Sequence, residues 1–168
     1  YMATFGVVIS CIIGFTVGTL CFQNKNSASF MLGVCDIFQT FPSFVYLIPV
    51  MMLFGITDTS VLIAVIVYAT IPATRYTIEG LRSVPTALHD AATMSGVTKF
   101  QRLFKIEFPL AFPHMMLGLN QTIVFALFMV IIGAFIGTED LGQYILKALS
   151  DKKGAGIGLT LGVCVDFI

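Results

Sequence analysis

The side chains best suited to contact a solute in this sequence are two neighbouring amides and a short group of aromatic rings. Asn120 and Gln121 lie in a long apolar run, where polar groups are costly and usually face protein or a cavity. They either line a solute pathway or hydrogen-bond to a neighbouring helix. The rings of Phe41, Phe44 and Tyr46 stand close together in sequence. Aromatic faces attract quaternary ammonium cations, and the alternative is that these rings only pack against lipid or other helices.

Catalysis and metal binding are not indicated by the spacing of the reactive side chains. The sequence has four cysteines, Cys11, Cys21, Cys35 and Cys164. They are far apart, and no two of them have the Cys-x-x-Cys spacing of a zinc or redox site. His89 and His114 are isolated. The sequence has no paired carboxylates in its apolar runs and no glycine-rich phosphate loop with a lysine. We therefore expect no catalytic residue, no metal site and no cofactor bound by this chain itself.

The composition places these residues in a membrane. The chain has 168 residues, of which 57% are hydrophobic and only 11% charged, whereas soluble domains carry about 25% charged residues. A soluble fold of this size cannot bury so much apolar side chain, so a soluble enzyme and intrinsic disorder are both excluded. The formal net charge is zero, so no overall field attracts nucleic acid.

Five apolar runs are candidates to cross the bilayer, for which a helix needs about 20 residues. They cover residues 2–22, 37–56, 60–74, 110–136 and 154–168. The third is short and spans fully only if Arg75 reaches the interface. We predict an all-α, polytopic membrane helix bundle with about five transmembrane helices. The abrupt first and last runs suggest a single transmembrane domain over residues 1–168 that is incomplete at both ends.

Three prolines within these runs, Pro42, Pro49 and Pro72, either curve the spans or serve as hinges of a gate.

The distribution of basic residues sets the expected topology. The segment 75–107 contains five lysines and arginines, and such residues are enriched on the cytoplasmic side. This segment and Lys25 are therefore expected in the cytoplasm. The turn around Thr57 and the connector 138–153 then lie outside.

The cytoplasmic connector has the signals of a helical hairpin. Ser83 is a possible cap for a helix beginning near Pro85, and Gly96 is a suitable stop. Thr98 and Gln101 fit a capping box for a second helix, and Phe100, Leu103 and Phe104 share one of its faces. Pro109 is expected to break the pattern before the next span.

The first of these helices presents the small side chains of Ala91, Ala92 and Ser95. Such a face allows docking into a groove on a partner protein. The alternative is a hairpin that lies on the membrane surface.

One pattern in this connector resembles a known motif. It reads Asp90-Ala91-Ala92-x3-Gly96-x9-Ile106-x-Phe108-Pro109. This is similar to the EAA motif of ABC-importer permeases, Glu-Ala-Ala-x3-Gly-x9-Ile-x-Leu-Pro, with two mild replacements, Asp90 and Phe108. Residues 39–49 and 52–56 also resemble the glycine betaine/proline branch, as do 120–122 and 140–143. The resemblance covers about residues 39–168.

The resemblance implies a type I ABC importer permease with a cytoplasmic coupling loop at residues 83–109. In that family two permease copies form the pore, two ATPase subunits bind ATP and Mg, and a periplasmic or lipid-tethered binding protein delivers the solute. It implies that Asp90, Ala91, Ala92 and Gly96 dock on the ATPase. Ile106 and Pro109 would fix the second helix against the next span.

The implied solute is glycine betaine, proline or a related quaternary amine, and the implied location is the plasma (inner) membrane of a bacterium or archaeon. An ABC permease for a different small solute stays open. So does an ion-coupled secondary transporter or channel, although these usually place a charged side chain at mid-membrane. No Asp, Glu, Lys or Arg is central in the first four runs.

Overall fold

A computed structural model of the chain describes residues 2–136. Every regular element in that part is helical, which confirms the all-α fold. The elements are α1 (Met2–Phe22), α2 (Lys25–Thr40), α3 (Phe44–Phe54), α4 (Asp58–Arg82), α5 (Thr86–Met94), α6 (Lys99–Arg102), a π turn (Leu103–Glu107) and α7 (Phe108–Ile136).

Helix α4 is the centre of the bundle and packs along α1. Gly6 lies against Val65, and Gly18 lies against Thr77, so the two helices run in parallel. The approach is close, because a Cβ added at Gly14 would come within 2.4 Å of the Ala73 Cβ. Small residues allow this contact between helices in a membrane, where packing replaces the hydrophobic effect as the driving force.

Helix α7 packs on another side of α4 and runs antiparallel to it. Gly118 lies against Tyr76, and Gly133 lies against Val61. The turn at Thr57 and the end of α7 therefore share one end of the bundle. The connector between α4 and α7 lies at the opposite end.

The second apolar run does not form one straight helix. It is divided into α2 and α3, which meet at 85°. Phe41 is extended, as expected for a residue before a proline, and Pro42 lies in the break. Helix α2 begins at Lys25, so only a short turn separates it from the end of α1 at Phe22.

Helix α4 is longer than the third apolar run. The predicted end at Thr74 is wrong, because the helix continues to Arg82. Thr77, Ile78 and Leu81 are buried in this continuation. The start of the expected polar connector is thus packed inside the bundle. The charges of Arg75 and Glu79 made this part of the sequence look like a connector rather than a buried helix.

Within residues 2–136, three helices are long and apolar enough to cross a membrane: α1, α4 and the continuous rod 99–134, and the bent pair α2–α3 would make a fourth if it is one span. The start of α2 lies near the end of α4, where Arg82 Nη1 is 3.4 Å from Ser29 Oγ. Lys25 and the helical connector are therefore at the same end, as the charge distribution predicts. The fifth run and the 138–153 connector lie outside the described residues.

Candidate coupling site and solute pathway

The connector forms two helices that meet at a glycine. Helix α5 begins after Pro85, and Ser83 instead ends α4, so the predicted cap at Ser83 is wrong. Gly96 has φ +68°, a left-handed conformation that favours glycine. Its N–H donates to Thr93, and the next N–H donates to the Ala92 carbonyl at 3.2 Å. These two bonds form a Schellman motif, which confirms Gly96 as the stop.

The second helix begins with the predicted capping box. The backbone N–H of Gln101 donates to Thr98 Oγ1 at 3.3 Å, and the Thr98 N–H donates to Gln101 Oε1 at 3.1 Å. Helix α6 is a single short turn and passes directly into the π turn. The predicted break at Pro109 does not occur, because the π turn precedes it and the rod continues through α7.

A buried carboxylate joins the two helices, and we call this contact the Glu107 clasp. The side chain of Glu107 is 2% exposed. Its Oε1 accepts from Arg102 Nε at 2.9 Å and lies 3.0 Å from His89 Nδ1. His89 is on α5, so the clasp links α5 to the base of α7. A buried carboxylate that contacts both Arg102 and His89 therefore links the two helices. We name α5, α6, the π turn and this clasp the elbow.

Sequence reasoning missed this contact. It treated His89 as isolated, which is wrong, and counted Glu107 only as a charge. Arg102 and Glu107 are five residues apart, whereas side chains on one face of an α-helix are three or four apart. Only the π turn brings the two together. The one available signal was a lone acid in an otherwise basic and apolar stretch.

The predicted face of small side chains on α5 is partly buried and partly exposed. Ala92 is buried within the chain, while Asp90, Ala91 and Ser95 are exposed. Met94, which the sequence did not single out, is 89% exposed on the same short helix. The surface that α5 offers to a partner is therefore larger and more apolar than the alanine pair indicated.

The second half of the motif is likewise partly buried and partly exposed. Ile106 is half-buried in the π turn, and Pro109 is exposed near the start of α7. The predicted aromatic face is also divided. Leu103 packs on the cluster of Leu81, Ala111 and Met115, whereas Phe100 and Phe104 are exposed and contact each other.

The predicted aromatic group does not gather into one cage. Phe41 and Phe44 are about half exposed and lie at or next to the bend between α2 and α3. Tyr46 is half-buried, and its hydroxyl donates to the Phe38 carbonyl. The Tyr46 and Tyr68 ring centroids are 5.1 Å apart. Tyr46 therefore packs against other residues of the bundle, and its role toward a solute stays a prediction.

The two amides have different surroundings. Asn120 is exposed on α7, while Gln121 is half-buried. Gln121 lines a cavity of about 310 Å³ between α2, α4 and α7, which we call the Arg75 cavity. Its walls are formed by Gln39, Pro72, Arg75, Tyr76, Glu79, Gln121 and Phe125. The structure thus separates the amides and gives only Gln121 a position at a cavity.

Arg75 holds the wall of this cavity together. Its Nη1 is 2.6 Å from Asp36 Oδ1 and 2.7 Å from Gln39 Oε1, both on α2. Its Nε donates to Glu79 Oε1 at 3.0 Å, one turn along α4. The side chains of Arg75 and Glu79 are 31% and 37% exposed. Arg75 thus bridges two helices as well as ending an apolar run. Among residues 2–136, no three His, Cys, Asp or Glu side chains gather as a metal site would require.

Comparison with known proteins places this geometry in a family. Residues 6–165 match the family described as binding-protein-dependent transport system inner membrane component. The chain is 91% identical over its whole length to the trimethylamine N-oxide transport system permease protein TmoV of Pelagibacter ubique, covering 23% of that protein. It is 47% identical over its whole length to TmoV of Ruegeria pomeroyi, covering 25%. The chain thus spans about a quarter of the length of these relatives.

More distant relatives agree with this assignment. The glycine betaine/proline betaine transport system permease protein ProW of Escherichia coli is 37% identical over 96% of this chain and 47% of its own length. A solved structure of the MetNI methionine ABC transporter, in an inward-facing conformation, matches with a TM-score of 0.80. That match covers 99% of this chain and 85% of the other, and at 20% identity it shows the fold alone. The resemblance to ABC-importer permeases is confirmed, and the chain belongs to the family of inner-membrane components of binding-protein-dependent transport systems.

Proposed function

We propose that this chain is the membrane-embedded part of a permease subunit in an ATP-driven importer for methylated amines. Family membership and the names of the relatives support this, since they are permeases for trimethylamine N-oxide and for betaines. The 91% identity to a trimethylamine N-oxide permease makes that compound the first solute to test. Glycine betaine and related quaternary amines follow, and then proline.

The elbow is the observation that carries the proposal. Transmission of force from a neighbouring subunit requires a rigid element joined to a membrane span. The Glu107 clasp fixes α5 to the base of α7, and Asp90, Ala91 and Met94 are exposed on α5 for docking. A push on α5 would therefore turn the rod that carries Gln121. Two global states, biased differently by nucleotide, then give alternating access.

The proposed partners follow from the family. Two ATPase subunits bind ATP and Mg and receive α5, with Asp90, Ala91 and Gly96 exposed in the docking turn and Ala92 packed beneath it. Ile106 and Pro109 fix the rod at its base. A solute-binding protein delivers the cargo, a second permease copy completes the pore, and the complex lies in the inner membrane of a bacterium or archaeon.

The test is solute uptake by the complete importer in proteoliposomes, with ATP enclosed or withheld. Replacing Gly96 with Leu strains the left-handed turn and should lower the amount of solute carried per ATP by about tenfold. Gly33→Leu is the matched control, because a Cβ at either glycine meets nothing within 4 Å and only Gly96 has a positive φ.

Two outcomes would contradict the proposal. Equal coupling in the two variants would remove the elbow from the mechanism. Uptake that follows a proton or sodium gradient and ignores ATP would instead support the ion-coupled transporter.

A further inference from the structure

We propose that the Arg75 cavity is a transit site for a small dipolar methylated amine inside the permease. Glu79 and the rings of Tyr76 and Phe125 would face the methylated nitrogen, and Arg75 and Gln121 would face the oxygen-bearing end. This inference rests on the proposed function and adds where the solute is held during passage.

The charges in the cavity wall suit a ligand with two poles. One guanidinium stands between two carboxylates, Asp36 and Glu79, so the cluster has a formal charge of −1. A group with a positive nitrogen is attracted to such a cluster. Both carboxylates contact the guanidinium, Asp36 at Nη1 (2.6 Å) and Glu79 at Nε (3.0 Å), and Glu79 is the one that lines the cavity.

Arg75 also has more hydrogen-bond donors than the contacts described above use. A guanidinium has five N–H groups, and the contacts described above use Nε and Nη1. The other two N–H groups belong to Nη2, which none of these contacts uses. These two donors, with the amide of Gln121 across the cavity, can bind an N-oxide or carboxylate oxygen.

The aromatic walls suit the methylated end. Tyr76 and Phe125 come from different helices, and Phe125 stacks on Tyr68 with ring centroids 4.7 Å apart. Stacking holds the Phe125 ring in place. A fixed aromatic face near a carboxylate is the arrangement that binds quaternary ammonium groups.

Size and access fit a small solute. A volume of about 310 Å³ is at the lower end of the range of small-molecule sites, about 300–1,000 Å³. The charged groups of the wall are one-third exposed rather than sealed. A solute can therefore reach them without first breaking the fold.

Cysteine protection tests the site in the complete importer, embedded in nanodiscs. Gln121→Cys is labelled with a neutral maleimide, above the background of the native thiols, at rising concentrations of trimethylamine N-oxide or glycine betaine. We expect either solute to slow labelling at least about threefold, and sorbitol at equal osmolarity to have no effect. Ser29→Cys, exposed on α2 and outside the cavity wall, is the control and should not be protected.

A second variant separates binding from a general change of shape. Adding Glu79→Gln keeps the size of the side chain and removes the negative charge, so protection of Gln121→Cys should be lost. Phe125→Leu should weaken protection about threefold, whereas Phe128→Leu, on an exposed face of the same helix, should not.

The outcomes distinguish this site from the proposed function. ATP-driven uptake of trimethylamine N-oxide by the Gln121→Cys importer itself, without protection of that cysteine, would overturn the site and leave the function standing. Protection that survives Glu79→Gln would overturn it as well. Absence of ATP-driven uptake for every methylated amine would overturn the function. Protection observed in that case would still support the cavity as a binding site.

Discussion

Two arginine–glutamate pairs in this chain have almost the same geometry and different surroundings. The Nε–Oε1 distance is 2.9 Å for Arg102 and Glu107 in the elbow, and 3.0 Å for Arg75 and Glu79 at the cavity. The Glu107 side chain is 2% exposed, whereas that of Glu79 is 37% exposed. The sealed pair has a third member, His89, and acts as a fastening. The open pair keeps donors and a carboxylate within reach of a ligand.

The contrast shows that pair distance alone does not define a role. A buried pair is costly to disrupt, because removal of one partner leaves the other desolvated. An exposed pair contributes little, because water replaces either partner. Burial therefore distinguishes the pair in the elbow, which is closed to water, from the pair at the Arg75 cavity, which water or a ligand can reach.

The largest expected effect is at the clasp. Glu107→Ala leaves Arg102 and His89 without their shared acceptor and should lower the free energy of unfolding by about 2–4 kcal/mol. Unfolding of the purified permease in mixed detergent micelles measures this. Glu79→Ala is the matched control, with an expected loss below about 1 kcal/mol. Similar losses for the two variants would abolish the contrast between the pairs.

An intermediate effect is expected at the glycine of the elbow. Gly96→Ala places a Cβ in open space, so only the backbone is strained, at φ +68°. We expect a loss of about 1–2 kcal/mol in the same unfolding assay. Gly33→Ala, inside α2 and also without a neighbour within 4 Å, should instead gain up to about 1 kcal/mol. A gain at both positions would mean that the turn does not depend on glycine.

The smallest effect is expected at the outer member of the cavity cluster. Asp36→Asn removes one of two carboxylates from Arg75, which keeps its bonds to Glu79 and Gln39. The Asp36 side chain is 56% exposed, so the loss in unfolding free energy should stay below about 1 kcal/mol. A loss larger than that of Gly96→Ala would show that the open cluster is a structural fastening like the clasp.

Local signals in the sequence predicted local structure well. The Gly96 stop and the Thr98–Gln101 capping box depend on bonds within a few residues, and both are present. Helix α1 also has the predicted bounds. The family resemblance, carried by the motif around Asp90, predicted the fold, which is confirmed.

Features that depend on contacts between distant segments were not predictable in this way. Helix α4 continues past Arg75 with Ile78 buried and with Leu81 packed against side chains of α1 and α7, contacts that no window of the sequence shows. The clasp needs His89 and Glu107, 18 residues apart, together with a π turn that has no composition signal. The cavity wall likewise joins Gln39, Arg75 and Gln121 from three helices.

The π turn at Leu103–Glu107 has a consequence for how α5 is aimed. A π turn amounts to one residue inserted into an α-helix, and each residue of an α-helix turns the chain by about 100°. Deletion of a single residue there would restore a regular α-helix and rotate α5 around the axis of the rod. The direction in which α5 projects from the rod thus depends on the length of this one turn, so deletion of one residue there would change that direction.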